Sequence, residues 1–116
     1  AARQEVFWTL LLNTKNRLVA APVEASRGLL DSCPVHPREV FRAAITTGAA
    51  CVIVAHNHPS GDPTPSAEDI QITRRLVDAS KLLGIRVTDH LICGRKTDTN
   101  PAGFISLREK NLVAFE

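Results

Sequence analysis

The apolar run Cys51-Val-Ile-Val-Ala55 leads without a break into His56-Asn57-His58 and then into Pro59-Ser-Gly-Asp-Pro-Thr-Pro65. A short continuous apolar run suits a buried central strand better than an edge strand. The prolines that follow remove backbone donors and fix φ, so neither helix nor sheet can continue through them. A central strand must therefore end at two histidines that open onto an irregular loop. Residues two apart on a strand project to the same side. If strand geometry persists past Ala55, His56 and His58 aim their imidazoles at one point, and such a pair makes half of a zinc site.

A catalytic zinc typically takes three protein ligands and leaves a fourth position to water, so a carboxylate or another histidine is expected nearby. Asp62, Glu68 and Asp69 compete for that place. Asp62 sits in a Gly-Asp-Pro turn, where aspartate commonly bonds its own backbone. Asp69 falls in the first turn of a helix opened by Ser66-Ala-Glu-Asp69 and can point back toward the strand end. The Ser66-x-x-Asp69 spacing is also that of a capping box, a structural device at a helix N-terminus. The roles are compatible, because a serine can cap through its oxygen and still donate its hydrogen to a reacting oxygen.

Other segments supply the framework. Residues 5–12 are rich in strand formers, Asn13-Thr-Lys-Asn16 supplies turn residues, and residues 17–25 read as the second arm of a hairpin. Pro37 suits the first turn of a helix over 37–47, with Val40, Phe41, Ala44 and Ile45 at helical spacing and Gly48 as its stop. A second helix follows Ser66, with Ile70, Thr73, Leu76, Val77, Ser80 and Leu83 along one face and Gly84 after its end. Residues 85–93 read as a strand, 94–103 as a polar loop, and 104–113 as a short strand running into a brief terminal helix. The fold class is α+β, a mixed β-sheet flanked by helices.

With 116 residues, 44% of them hydrophobic, and no repeat or linker, one domain over 1–116 is expected. The start at Ala1-Ala2-Arg3 and the absence of methionine lead us to expect a piece of a longer protein. Fourteen Lys plus Arg against twelve Asp plus Glu give +2, too little for a nucleic-acid footprint without clustering. Arg74, Arg75, Lys81, Arg86, Arg95 and Lys96 read as solvated positions, and 4% aromatic content leaves little for stacking on single strands. No apolar stretch approaches a membrane span. Cys33, Cys51 and Cys93 are odd in number and include no C-x-x-C pair, which fits a reducing, cytoplasmic setting. Cys33-Pro-Val-His36 lacks a companion pair and reads as structural, and Cys51 as core packing.

His56-Asn57-His58, seven residues, Ser66, two residues and Asp69 resemble the H-x-H-x7-S-x2-D signature of the JAB/MPN metalloproteases, the JAMM motif. The longer string from His56 to Ser66, with His36-Pro-Arg-Glu39, Leu83-Gly84, Asp89-His90 and Ser106-Leu-Arg108, is similar to the RadC-like branch of that family. The resemblance covers nearly the whole chain and weakens only over residues 96–103. It implies a JAB/MPN fold, similar to that of cytidine deaminases. It also implies one zinc ion per chain on His56, His58 and Asp69, with Ser66 holding the polarised oxygen of the substrate. An upstream glutamate would act through the zinc-bound water; Glu5 is the best match, with Glu24 and Glu39 as competitors. Asp89 and His90 would be a pair orienting a ligand, or else His90 is a buried histidine with a satisfied partner, and the substrate would be a peptide or protein. Zinc deamination is excluded, because it needs H-x-E with P-C-x-x-C and position 58 is histidine. The RadC-like branch has traditionally been labelled a DNA repair family. No helix-turn-helix, zinc finger or basic stripe supports that here, so nucleic acid would be bound only weakly or through a missing domain. The alternative to a hydrolase is a DNA-repair-associated or protein-binding module with weak or no hydrolase activity.

Overall fold

The computed structural model describes residues 4–28 and 35–115; Cys33 lies outside the described residues. The elements run β1 (Glu5–Leu12), β2 (Val23–Gly28), α1 (Pro37–Thr47), β3 (Cys51–Asn57), α2 (Ala67–Leu83), β4 (Arg86–Cys93) and β5 (Phe104–Ser106). They form one mixed sheet in the order β2-β1-β3-β4-β5. β3 and β4 are parallel and joined through α2, and the other neighbours are antiparallel. The expected α+β class is what the chain adopts. Among the described residues no helix is long and apolar enough to cross a membrane.

Strand pairing arranges the inner face in rows. Leu11, Val52 and Val87 form one row, Thr9, Val54 and His90 the next, and Phe7, His56 and Ile92 the third. All nine side chains are buried. Val40, Phe41 and Ala44 of α1 and Leu76 and Val77 of α2 close over this face. The helices end where their glycines dictate: Gly48 and Gly84 take left-handed φ values of 72° and 70°, which cost glycine least. Trp8, Leu10, Ile53 and Leu91, on the opposite face, are only half-buried.

A β-bulge sets the phase of β4. Val52 pairs with Val87 and Ile53 with Asp89, so Thr88 is surplus. Alternation through Val87 would otherwise send His90 outward. The extra residue turns His90 and Ile92 back onto the inner face.

Two expectations need correction. The second hairpin arm does not run over 17–25; β2 begins at Val23. Of the earlier part, Leu18 forms an isolated bridge opposite Leu12 and the Val19 N–H bonds the Leu11 carbonyl at 2.9 Å, while Val23 pairs with Thr9. The path from Leu18 to Val23 is longer than its partner from Leu12 to Thr9, so the surplus loops out, and Pro22 has no N–H for the ladder. The terminal helix is also absent. After β5 one turn closes with the Lys110 N–H on the Ser106 carbonyl, and Asn111 at φ 56° ends it. The Leu112 and Asn111 N–H groups then bond the Leu107 and Arg108 carbonyls, a Schellman ending that allows no further turn.

Candidate metal centre

β3 keeps strand geometry to Asn57, which meets the condition for aiming both histidines at one point. The His58 N–H then bonds the Cys93 carbonyl at 2.9 Å, carrying the β3–β4 ladder one residue further. Between the histidines, Asn57 takes over the ladder to β1. Its Oδ1 accepts from the Val6 N–H at 2.8 Å and its Nδ2 donates to the Gln4 carbonyl at 3.1 Å. The side chain thus clamps the start of β1. Nothing in the motif spacing identifies this role for the middle residue.

The histidines and Asp69 come together. One ligand-type atom from each of His56, His58 and Asp69 lies within 4.8 Å of the others. The Asp69 carboxylate meets His56 Nε2 at 3.1 Å with Oδ1 and His58 Nε2 at 3.0 Å with Oδ2. Oδ2 also accepts from the Ser66 N–H at 2.8 Å, while Ser66 Oγ accepts from the Asp69 N–H at 3.1 Å. The capping box is therefore complete, and it holds the carboxylate facing the strand end. The Ser66 hydroxyl accepts in this bond and keeps its own hydrogen for donation.

Each imidazole is held from behind. His58 Nδ1 lies 2.8 Å from the Asp62 carbonyl oxygen, which can only accept, so Nδ1 carries a proton and Nε2 faces Asp69. His56 Nδ1 lies 2.8 Å from His90 Nε2. Phe7 stacks on the His56 ring at 5.6 Å between centroids. Two imidazole nitrogens and a carboxylate oxygen, converging with their far sides tethered, suit a divalent cation.

The electrostatics follow from this packing. Burial opposes ionisation of Asp69, but the hydrogen bonds from His56, His58 and the Ser66 N–H outweigh it and hold the carboxyl well below the usual range. The hydrogen bond to Asp69 raises the His58 pKa against the opposing effect of burial, helped by the Asp62 carbonyl and by the charges of Asp69 and Glu5. Burial first, and then repulsion from His56, push His90 down to about 3, so its ring is neutral.

The competing carboxylates are engaged elsewhere. Asp62 Oδ1 accepts from the Thr64 N–H and hydroxyl at 3.0 and 2.7 Å, a local turn, and Glu68 is exposed. Glu24 pairs with Arg27 at 2.6 Å and sits across from Trp8, on the outer face. Glu39 pairs with Arg42 at 2.8 Å on α1. Glu5 opens β1 two residues before Phe7, strand alternation puts it on the same face as Phe7, and its charge acts on His58.

The Asp89 and His90 side chains serve different neighbours, although Asp89 Oδ1 also accepts from the His90 N–H at 2.7 Å. Asp89 accepts from the Ser106 hydroxyl at 2.5 Å and from the Arg108 N–H at 3.1 Å, fastening β4 to the turn after β5. Only His90 reaches a residue of the cluster. The bulge at Thr88 decides which of the two turns inward.

The loop between His58 and Ser66 rests on β4. The Arg95 N–H bonds the Gly61 carbonyl at 2.6 Å, and a β-carbon at Gly94 would press on that same oxygen and lie 2.9 Å from Pro63 N. A cleft of about 670 Å³ opens beyond the loop, lined by Asp62, Thr64, Arg95, Phe104 and Lys110 among others.

The RadC-like JAB domain family model matches residues 1–112. A UPF0758 protein of Moorella thermoacetica is 53% identical over 110 residues, which are 95% of this chain and 45% of that protein. A UPF0758 protein of Geotalea uraniireducens is 58% identical over 92 residues, 79% of this chain and 40% of that protein. The chain thus spans less than half the length of the curated relatives it matches.

Proposed function

This chain belongs to the RadC-like JAB domain family, and on that premise we propose that it is a zinc-dependent metallohydrolase that cleaves peptide or isopeptide bonds. The observation that carries the reading is the convergence of His56, His58 and Asp69 within 4.8 Å. These three residues hold the ion. Zinc bound there supplies Lewis acidity that makes water a nucleophile near neutral pH.

The remaining work falls to the chain's own groups. The Asp62 carbonyl and His90 keep the two rings in position. Glu5 takes the proton from the attacking water and delivers it to the leaving nitrogen. The Ser66 hydroxyl donates to the substrate oxygen as negative charge develops on it, and the completed cap keeps that donor in place beforehand. The cleft beyond the Asp62 turn has room for an extended peptide segment.

Metal analysis of the purified chain, combined with a broad peptide-library cleavage screen, tests the reading. About one zinc per chain is expected, with zinc-dependent cleavage. Ala in place of His56, His58 or Asp69 should each strongly reduce zinc content. Full zinc in Asp69→Ala with loss in Asp62→Ala would move the third ligand to Asp62 and leave Asp69 as a cap.

A further inference from the structure

Behind His56 runs a buried chain of polar groups that ends back at Asp69. His56 Nδ1 and His90 Nε2 are 2.8 Å apart, His90 Nδ1 and Thr73 Oγ1 2.5 Å, and Thr73 Oγ1 and the Asp69 carbonyl oxygen 2.6 Å. Thr73 and His90 are each 0% exposed. The chain crosses from β3 through β4 to α2, so it links two residues of the metal cluster from behind.

The Thr73 hydroxyl has one hydrogen and two neighbours that can accept it. If it donates to the Asp69 carbonyl, its oxygen accepts from His90 Nδ1–H. His90 Nε2 then accepts from His56 Nδ1–H, and His56 Nε2 presents a bare lone pair. If the hydroxyl instead donates to His90 Nδ1, His90 Nε2–H donates to His56 Nδ1. The His56 proton then sits on Nε2, facing Asp69 Oδ1 at 3.1 Å. Each ring carries one proton and stays neutral in both arrangements. Only the first can ligate a metal through Nε2.

We infer that Thr73 and His90 are positioning residues: the direction in which the Thr73 hydroxyl points selects the His56 tautomer and thereby gates metal binding. The metal-loaded chain takes the arrangement in which Thr73 donates to the Asp69 carbonyl. Metal affinity then depends on a hydroxyl of α2 that touches neither metal nor substrate. The inference rests on the zinc site proposed above and adds how that site is set.

Thr73→Val keeps shape but leaves His90 Nδ1–H with no acceptor in the metal-binding arrangement. Zinc affinity, measured by chelator competition, should fall about 10–100-fold, and Thr73→Ser should restore it. The visible spectrum of the Co2+-loaded chain should shift in Thr73→Val and return in Thr73→Ser. Imidazole 15N shifts of the unmodified zinc-loaded chain should find the His90 proton on Nδ1. A folded Thr73→Val chain with lowered melting temperature but unchanged zinc affinity and cobalt spectrum overturns the inference and leaves the zinc site standing. A His90 proton on Nε2 with zinc bound does the same, and decides the matter alone if Thr73→Val fails to fold. An unmodified chain that binds no zinc overturns the proposed function and this inference together.

Discussion

The inner face of the sheet has two ends built from the same three strands, and they solve burial differently. At one end Leu11, Val52 and Val87 lie side by side under the helices, held by apolar contact that has no preferred direction. Two rows further along the same strands, Phe7, His56 and Ile92 are as well buried, yet His56 is held by bonds of fixed direction to His90 and Asp69. The first end needs the right volume, and the second needs each proton in one place. Thr9, in the middle row, belongs to neither: among the described residues, its Oγ1 is the buried side-chain oxygen or nitrogen without a partner.

Substitutions at the two ends should therefore fail in different ways. The largest effect is expected beyond the polar end, where Glu5→Gln should lower hydrolysis about 10²–10⁴-fold while zinc content and melting stay unchanged. Kinetics, metal analysis and melting on one sample check this. Undiminished turnover in a folded, zinc-loaded Glu5→Gln chain would move the base to another residue. At the apolar end, Leu11→Ala should cost about 2–5 kcal/mol of stability in denaturant titration, through lost burial and a cavity. Zinc per folded chain should not change. A loss of zinc there would dissolve the distinction between the ends.

Smaller effects sharpen the contrast. Ser66→Ala should lower stability by about 0.5–2 kcal/mol through loss of the cap, and turnover should fall with it. Full turnover in the destabilised variant would leave Ser66 a capping role alone. Thr9→Val removes the orphan hydroxyl at nearly constant shape and should raise stability by about 1 kcal/mol. A loss in the thermal melt would mean that Thr9 has a partner after all.

What could be read in advance was what strong local chemistry dictates. Pro37 and Gly48, and Ser66 and Gly84, bound their helices in the structure as their backbone preferences require. The cluster was legible because strand alternation and the helix cap both act within a few residues. What escaped depends on pairing between distant segments. The start of β2 follows from its register with β1, and Pro22 alone did not reveal it. His90 faces the cluster because of one surplus residue against β3, which no periodicity within β4 announces. The Asn57 bonds to the start of β1 likewise need a partner about fifty residues away.

Gly94 shows how far such dependence reaches. Its neighbours leave no room for a single added carbon, and the crowded segment, Gly61 to Pro63, includes the Asp62 carbonyl that tethers His58. Position 94 bears no reactive group, yet a methyl there would act as a wedge, lifting the loop and tilting the His58 ring two contacts away. The site is thus defined partly by an atom that must be missing, and a saturation screen should find Gly94 as intolerant as His56, His58 and Asp69.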